Sequence, residues 1–290
     1  MQFHPVPDGL FSPCDRGGTL LPFVYDTEEA GNIIPKRALA YLPCGYAENP
    51  DKRYPVLYLM HGGGGNEEEF WGHSEDGAPL KNLLDQCFAR GDTAPFIVVT
   101  PSYFLPGHET AHRDVAEACA LTHRFPTELA RDLIPAVDSR FRTIPTRWNR
   151  AFGGFSMGGE TTWSVMAGCL PDVAVFLPLS GDFWVLEIKG GKTRTRETAD
   201  ALIDALRSSG IGPGDYRVLA CTGDQDIAFE AMDPMVRELA RRSPWFDLRE
   251  RPDEGSLCYC LKENGWHTYN DCWEYLYNML PYIFQRTEGS

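Results

Sequence analysis

The chain has 290 residues, 43% of them hydrophobic and 12% aromatic, which is ample for a large core. No linker, low-complexity tract or internal repeat offers a place to cut, so one domain over 1–290 is expected, with 1–35 as an N-terminal strand-and-loop extension. The 41 acidic residues against 27 basic ones give a formal net charge of −14, which argues against a nucleic-acid partner or an anionic membrane surface, since both need a basic patch.

Residues 1–8 carry neither a basic n-region nor an apolar h-region. The expectation is a cytoplasmic protein, or a secreted one already stripped of its leader. Residues 1–35 are rich in Pro, Gly and Asp, with short apolar runs such as 20–25 that suggest a strand among loops. Residues 37–42 read as a strand ending at Pro43, and 44–54 as a polar turn between antiparallel strands. The unbroken apolar run 55–60 fits a central strand buried on both faces. It leads into His61-Gly62-Gly63-Gly64-Gly65-Asn66 and then the solvated cluster Glu67-Glu68-Glu69. A helix is expected over 80–89, stopped by Gly91, and a parallel strand over 96–100. After a loop containing Gly107, residues 125–141 place Leu129, Leu133, Ile134 and Val137 on one helical face.

The lead-in 149–152 reaches Gly153-Gly154-Phe155-Ser156-Met157-Gly158-Gly159, and a helix follows to Cys169. A buried strand over 173–179 ends in Ser180-Gly181-Asp182-Phe183-Trp184. Residues 189–196 read as a surface loop, and 199–206 as a helix capped near Gly210. The strand 217–221 ends in Thr222-Gly223-Asp224-Gln225-Asp226, with a helix over 229–242 behind it. A last strand, 256–262, leads to Gly265-Trp266-His267 and a C-terminal helix over 269–284. Strands and helices alternating at this spacing make an α/β fold, a mostly parallel central sheet with helices on both faces. No run of about 18 apolar residues is present to span a bilayer. The nine cysteines form no C-x-x-C pair, and read as reduced core residues.

Two motifs carry chemistry. G-x-S-x-G between a strand and a helix is the nucleophile elbow of α/β-hydrolases, a turn so sharp that it holds the Ser156 hydroxyl above the sheet edge. Gly154 and Gly158 are then needed because a Cβ at either place would collide with a neighbouring strand or helix. An ordinary glycine-rich loop would look the same, so the rest of the chain must decide. The second motif is the histidine-glycine run after the central strand, where glycines let a backbone N–H approach a developing oxyanion. A phosphate loop is the weaker reading, since G-x-x-x-x-G-K-[ST] is absent and no lysine lies nearby.

Acyl transfer through serine also needs a histidine base and a carboxylate to orient it, in the order Ser, Asp or Glu, His. His267 is the one histidine after Ser156 and follows the last expected strand. The acid is Asp224 or Asp226, both just past a strand end, with Asp182 a weaker third candidate. Whichever aspartate does not face the histidine can stabilise its own turn. Trp184 is expected on the Ser156 side of the sheet, because ligands of open α/β sheets bind outside the carboxyl ends of the strands. Trp71, shortly after the glycine run, is a candidate for the opposite wall of an acyl pocket. His61 and Asp182 are further candidate substrate contacts.

The segments 54–67, 154–159, 265–267 and 275–281 together resemble feruloyl esterases of the first carbohydrate-esterase family, the esterase D-like group that often occurs as xylanase-linked modules. The resemblance runs from about residue 37 to residue 284. The segment 178–184 is similar to the xylanase-linked feruloyl esterases in particular. The resemblance implies that the acid closes the Gly223-x-x-Asp226 turn, and that the amides of Met157 and Gly63 form the oxyanion hole. It implies a serine carboxylesterase that releases hydroxycinnamoyl, chiefly feruloyl, groups from xylan or arabinoxylan oligosaccharides through an acyl-enzyme, with no cofactor and no metal. On the same fold an acetyl-xylan esterase, another small-acyl esterase or a formylglutathione thioesterase is the alternative. A non-catalytic carbohydrate-binding module is the alternative of another class, which the intact Ser156, Asp226 and His267 argue against.

Overall fold

The computed structural model describes residues 1–72 and 78–285. The chain opens with a hairpin of two long strands, β1 (Thr19–Glu29) and β2 (Asn32–Leu42), which turns through Ala30 and Gly31 at positive φ. Then come β3 (Val56–Met60), helix α1 (Pro79–Arg90) and β4 (Ile97–Thr100). A long helical stretch follows: α2 (Val115–Glu128), a π-helical turn at Leu129–Leu133 and α3 (Ile134–Arg140). Beyond it lie β5 (Arg150–Phe155), α4 (Met157–Cys169), β6 (Val175–Leu179), the short α5 (Gly190–Thr193) and α6 (Thr195–Ser208). The chain continues through β7 (Arg217–Gly223), α7 (Phe229–Leu239), the two-residue β8 (Leu248–Arg249), β9 (Leu257–Lys262) and α8 (Tyr269–Met279).

The strands form one sheet in the order β1-β2-β4-β3-β5-β6-β7-β9-β8. β1 and β2 are antiparallel, as are β2 and β4, and every pairing from β4 onward is parallel. The expected α/β architecture is therefore present, an α/β-hydrolase sheet with an antiparallel edge. Side chains of β3 alternate between two cores: Val56, Tyr58 and Met60 face one, Leu57 and Leu59 the other. That period of two on an all-apolar strand is why both faces are covered. Helices α2, α3, α4, α6 and α7 pack the first face, and α1 and α8 the second.

Several elements differ from the sequence reading. The strand at 37–42 extends back to Asn32 and pairs along its whole length with β1. The helix expected from residue 125 begins ten residues earlier, at Val115, where the Asp114 carboxylate caps the turn by accepting from the Glu117 amide at 3.0 Å. Part of the loop expected at 189–196 is helical, as α5 and the start of α6. The hairpin is tied to α2 by buried polar contacts: Glu128 accepts from the Tyr25 hydroxyl at 2.5 Å and from the Lys36 ammonium at 2.7 Å.

Candidate active site

The turn from β5 to α4 is held by contacts between backbones. Ser156 has φ 57° and ψ −123°, a conformation costly for any residue with a Cβ. Its amide donates to Leu179 at 3.0 Å, and its carbonyl accepts from the Gly159 and Glu160 amides at 2.7 and 3.1 Å. A Cβ on Gly158 would lie 2.1 Å from the Met60 carbonyl oxygen, and one on Gly154 would lie 2.5 Å from the Gly158 oxygen. Helix α4 thus starts directly against the end of β3, which lifts Ser156 above the sheet edge.

Three side chains from three loops meet there. Ser156 Oγ lies 2.8 Å from His267 Nε2, and His267 Nδ1 lies 2.7 Å from Asp226 Oδ1. The carboxylate can only accept, so Nδ1 carries the proton and Nε2 accepts from the serine hydroxyl. Asp226 Oδ1 also accepts from the Ala228 amide at 2.8 Å, which fixes the carboxylate in its turn. Asp224 shares that turn but makes no hydrogen bond to His267; its amide donates to Lys262 O at 3.1 Å. The loops of Asp226 and His267 are brought together by a glycine pair, since a Cβ on Gly223 would fall 2.1 Å from the Gly265 oxygen. The Phe155 ring lies against the imidazole, with centroids 4.7 Å apart. A hydroxyl polarised by an imidazole, itself oriented by a carboxylate, is an activated nucleophile.

The glycine run wraps the other side of Ser156. The Gly62 amide donates to the Tyr269 hydroxyl at 3.0 Å, and the Gly62 carbonyl accepts from the Tyr103 hydroxyl at 2.7 Å. With the Gly62 amide taken, Gly63 is the next residue of the run to face the cleft, close to Met157. Met157 is the first residue of α4, so its N–H has no acceptor within the helix and lies at the positive end of the helix dipole.

His61 lies beneath this loop and not in the cleft, contrary to the expectation of a substrate contact. It is buried, donates from Nδ1 to the Gly62 carbonyl at 2.7 Å, and accepts at Nε2 from Ser102 at 2.9 Å. Burial lowers its pKa to about 4, so it is neutral at pH 7. Trp71 is likewise misplaced by the sequence reading. Its ring stacks on Tyr41 at 6.0 Å, and its indole N–H donates to Thr100 Oγ1 at 2.9 Å within the α1–α8 core. Nearness in sequence to the glycine run did not say on which face of the sheet the chain would turn.

A cleft of about 260 Å³ opens at Ser156 and His267, with Gly63 and Met157 beside them. Trp184, Val115, Ile188 and Ile227 supply apolar walls, and Asp182 and Glu160 line it as well. Trp184 is fixed at both ends: its indole donates to Asp182 Oδ1 at 3.1 Å, and its carbonyl accepts from His123 at 3.0 Å. Asp182 Oδ2 accepts from the Gly191 amide at 2.8 Å, while burial pushes its carboxyl pKa up. A wider groove of about 600 Å³ between α2 and α4 contains none of Ser156, His267 or Asp226. Among the described residues no group of three or more His, Cys, Asp or Glu side chains is arranged to hold a metal ion.

Sequence reasoning missed Tyr269 and Glu160. Tyr269 has no motif around it beyond lying two residues after His267. Glu160 did leave a signal: a lone carboxyl four residues past the nucleophile, on a helix otherwise free of charge.

The esterase family model, described as "Putative esterase", matches residues 36–274. The chain is 34% identical over 294 residues to endo-1,4-beta-xylanase Y of Acetivibrio thermocellus, covering 98% of this chain and 25% of that one. It is 35% identical over 152 residues to an endo-1,4-beta-xylanase/feruloyl esterase of Xylanibacter ruminicola, covering 50% and 19%. The chain thus spans a quarter or less of the length of these two relatives. Among solved structures, the feruloyl esterase module from Clostridium thermocellum, as a serine-to-alanine mutant complexed with sinapinate, matches with a TM-score of 0.84 and 34% identity, over 100% of this chain and 96% of that one. A ferulic acid esterase from Anaeromyces mucronatus, at 17% identity and a TM-score of 0.73 over 98% of both chains, bears on the fold alone. With the family model covering most of its length and a polarised serine at the family's elbow, the chain belongs to the esterase family.

Proposed function

We propose that the protein is a serine carboxylesterase that hydrolyses hydroxycinnamoyl, chiefly feruloyl, esters of xylan or arabinoxylan oligosaccharides. The observation that carries this reading is the cleft: an apolar slot with Trp184 in its wall begins at the polarised Ser156 hydroxyl. A planar aromatic acyl group needs such a slot, whereas an acetyl group needs almost none. The 34% identity to a feruloyl esterase module along the whole chain supports the same assignment.

In this reading Ser156 Oγ attacks the ester carbonyl carbon while His267 Nε2 takes its proton, and Asp226 stabilises the imidazolium that forms. The amides of Met157 and Gly63 hold the tetrahedral oxyanion. Collapse breaks the bond to the sugar oxygen, which leaves with the proton from His267. Water then repeats the sequence on the acyl-serine and releases the hydroxycinnamic acid. The test is hydrolysis of methyl ferulate against methyl acetate by the purified protein. The expected result is a kcat/KM at least tenfold higher for the ferulate. A preference for the acetate would replace this assignment with a small-acyl esterase.

A further inference from the structure

One carboxyl group in the cleft has no hydrogen-bond partner among the described residues. Glu160 stands in the first turn of α4, four residues after Ser156, and lines the same cleft as Ser156 and Trp184. It is only 7% exposed, and its Oε2 is buried without a hydrogen-bond partner among the described residues. Thr161 and Thr162 beside it return their hydroxyls to the carbonyls of Met157 and Gly158 at 2.8 Å, whereas Ser164 Oγ, one turn on, is like Glu160 Oε2 buried without a partner among the described residues. A buried carboxyl with an unmade hydrogen bond is costly, and packing alone would be better served by an apolar side chain.

The second carboxyl of the cleft is served differently. Asp182 accepts from two N–H groups, the Trp184 indole and the Gly191 amide. Donors of that kind stabilise a carboxylate, and among the described residues Glu160 has none. Burial first, and then the charge of Asp182, push the Glu160 carboxyl well above the usual carboxylate range, with the exposed Lys189 opposing them. Of the two, Glu160 is therefore the one that keeps its proton, which leaves a neutral group with one O–H to donate and one carbonyl to accept.

The tetrahedral carbon assigns the sides of the cleft. Its oxyanion faces the Met157 and Gly63 amides, and its leaving alcohol must face His267, which reprotonates it. The acyl chain is left with the rest of the cleft wall, which Trp184, Val115, Ile188, Ile227, Asp182 and Glu160 supply. We infer that Glu160 determines acyl specificity: its carboxyl exchanges hydrogen bonds with a hydroxyl on the ring of the bound acyl group, so the cleft selects phenolic esters over bare cinnamoyl esters. This rests on the reading of the cleft as an acyl pocket.

Three methyl esters sharing one alcohol test it: methyl p-coumarate, methyl m-coumarate and methyl cinnamate. In the wild type the better of the two hydroxylated esters should exceed the cinnamate about tenfold or more in kcat/KM, because a pocket built to bond a hydroxyl rejects the analogue without it. Glu160→Gln, which keeps a donor and an acceptor, should preserve most of that ratio. Glu160→Leu, or Glu160→Met where the leucine variant does not fold, should bring the ratio to about threefold or less while still turning over the cinnamate. A wild-type ratio near one, or an apolar variant that keeps the wild-type ratio, overturns the role of Glu160 and leaves the esterase assignment standing. A wild type that cleaves methyl acetate but none of the three aromatic esters overturns the acyl-pocket reading itself, and this inference with it.

Discussion

Asp224 and Asp226 lie two residues apart on one turn, and the difference between them is where the carboxylate ends up. Asp226 Oδ1 receives both His267 Nδ1 and the Ala228 amide, whereas Asp224 is bonded to the neighbouring strand end through its backbone. Asp226→Asn replaces the acceptor with a group that can donate and carries no charge to stabilise the imidazolium. Its kcat should fall on the order of 10³–10⁴-fold, while Asp224→Asn should stay within several-fold of wild type. Steady-state kinetics of the two variants decide it, and the reverse order of effects would shift the assigned acid by two residues. Trp184 is the residue to probe on the acyl side. An aromatic contact with a planar ring is worth about 0.5–1.5 kcal/mol beyond area burial, so Trp184→Ala should lower kcat/KM on methyl ferulate about tenfold and affect methyl acetate much less. Equal losses on both would make Trp184 a support for its loop. Chain order singled out Ser156 and His267 from the sequence, because one histidine follows the elbow. It left the acid open between two aspartates, since spacing along a turn does not fix which side chain points inward. Trp71 was misread because burial on the far face of the sheet leaves no trace in a local motif, and His61 because its ring turns under the glycine run against Tyr103 and Phe104.

At the scale of elements, the central strands were legible because burial on both faces leaves an unbroken apolar run, as in β3 and β6. The start of α2 was not. Val115 is exposed at the cleft mouth, so the helical stripe is weak there, and the visible mark was the Asp114-x-x-Glu117 cap. The π-helical turn at Leu129–Leu133 then shifts the phase of the stripe, which makes 125–141 look like an element of its own. A strand of two residues, β8, has no pattern to read. The element on which the site depends most is the elbow, and its tolerance is set by Gly158. A methyl group there must displace the Met60 carbonyl, and neither α4 nor β3 can yield without moving Ser156. Gly158→Ala should destabilise the fold by about 1–3 kcal/mol and lose most activity even at temperatures where it remains folded. Urea unfolding and kinetics on the same preparation check both effects. Full activity in this variant would mean that the elbow has slack the packing does not reveal.

At the scale of the whole molecule, buried titratable groups give stability two opposing dependences on pH. His61 sits at the junction of β3 with the glycine run, and burial holds its pKa near 4 against an ordinary value of 6.5. Between those values the unfolded chain binds a proton that the folded one refuses. The contribution of His61 is therefore fully present above about pH 6.5 and is lost as pH falls toward 4, at about 1.4 kcal/mol per pH unit and about 3 kcal/mol over the window. Glu160 and Asp182 act the other way. Their raised folded pKa values mean that their contribution is complete in acid and is lost as pH rises from the ordinary carboxylate range through the raised values. The surface carboxylates of a chain with net charge −14 add a slope of their own, so the wild-type curve alone cannot isolate His61. A difference between two proteins can. His61→Gln offers a polar end to Ser102 without a titrating ring, so it should be less stable than wild type at pH 7.5. Its stability should then fall less steeply between pH 6.5 and 4.5, and the gap between the two proteins should close by about 2 kcal/mol. Urea midpoints at pH 7.5, 5.5 and 4.5 measure this. Parallel curves would show that His61 takes up its proton within the fold, and that the loop over Ser156 opens in mild acid to admit it.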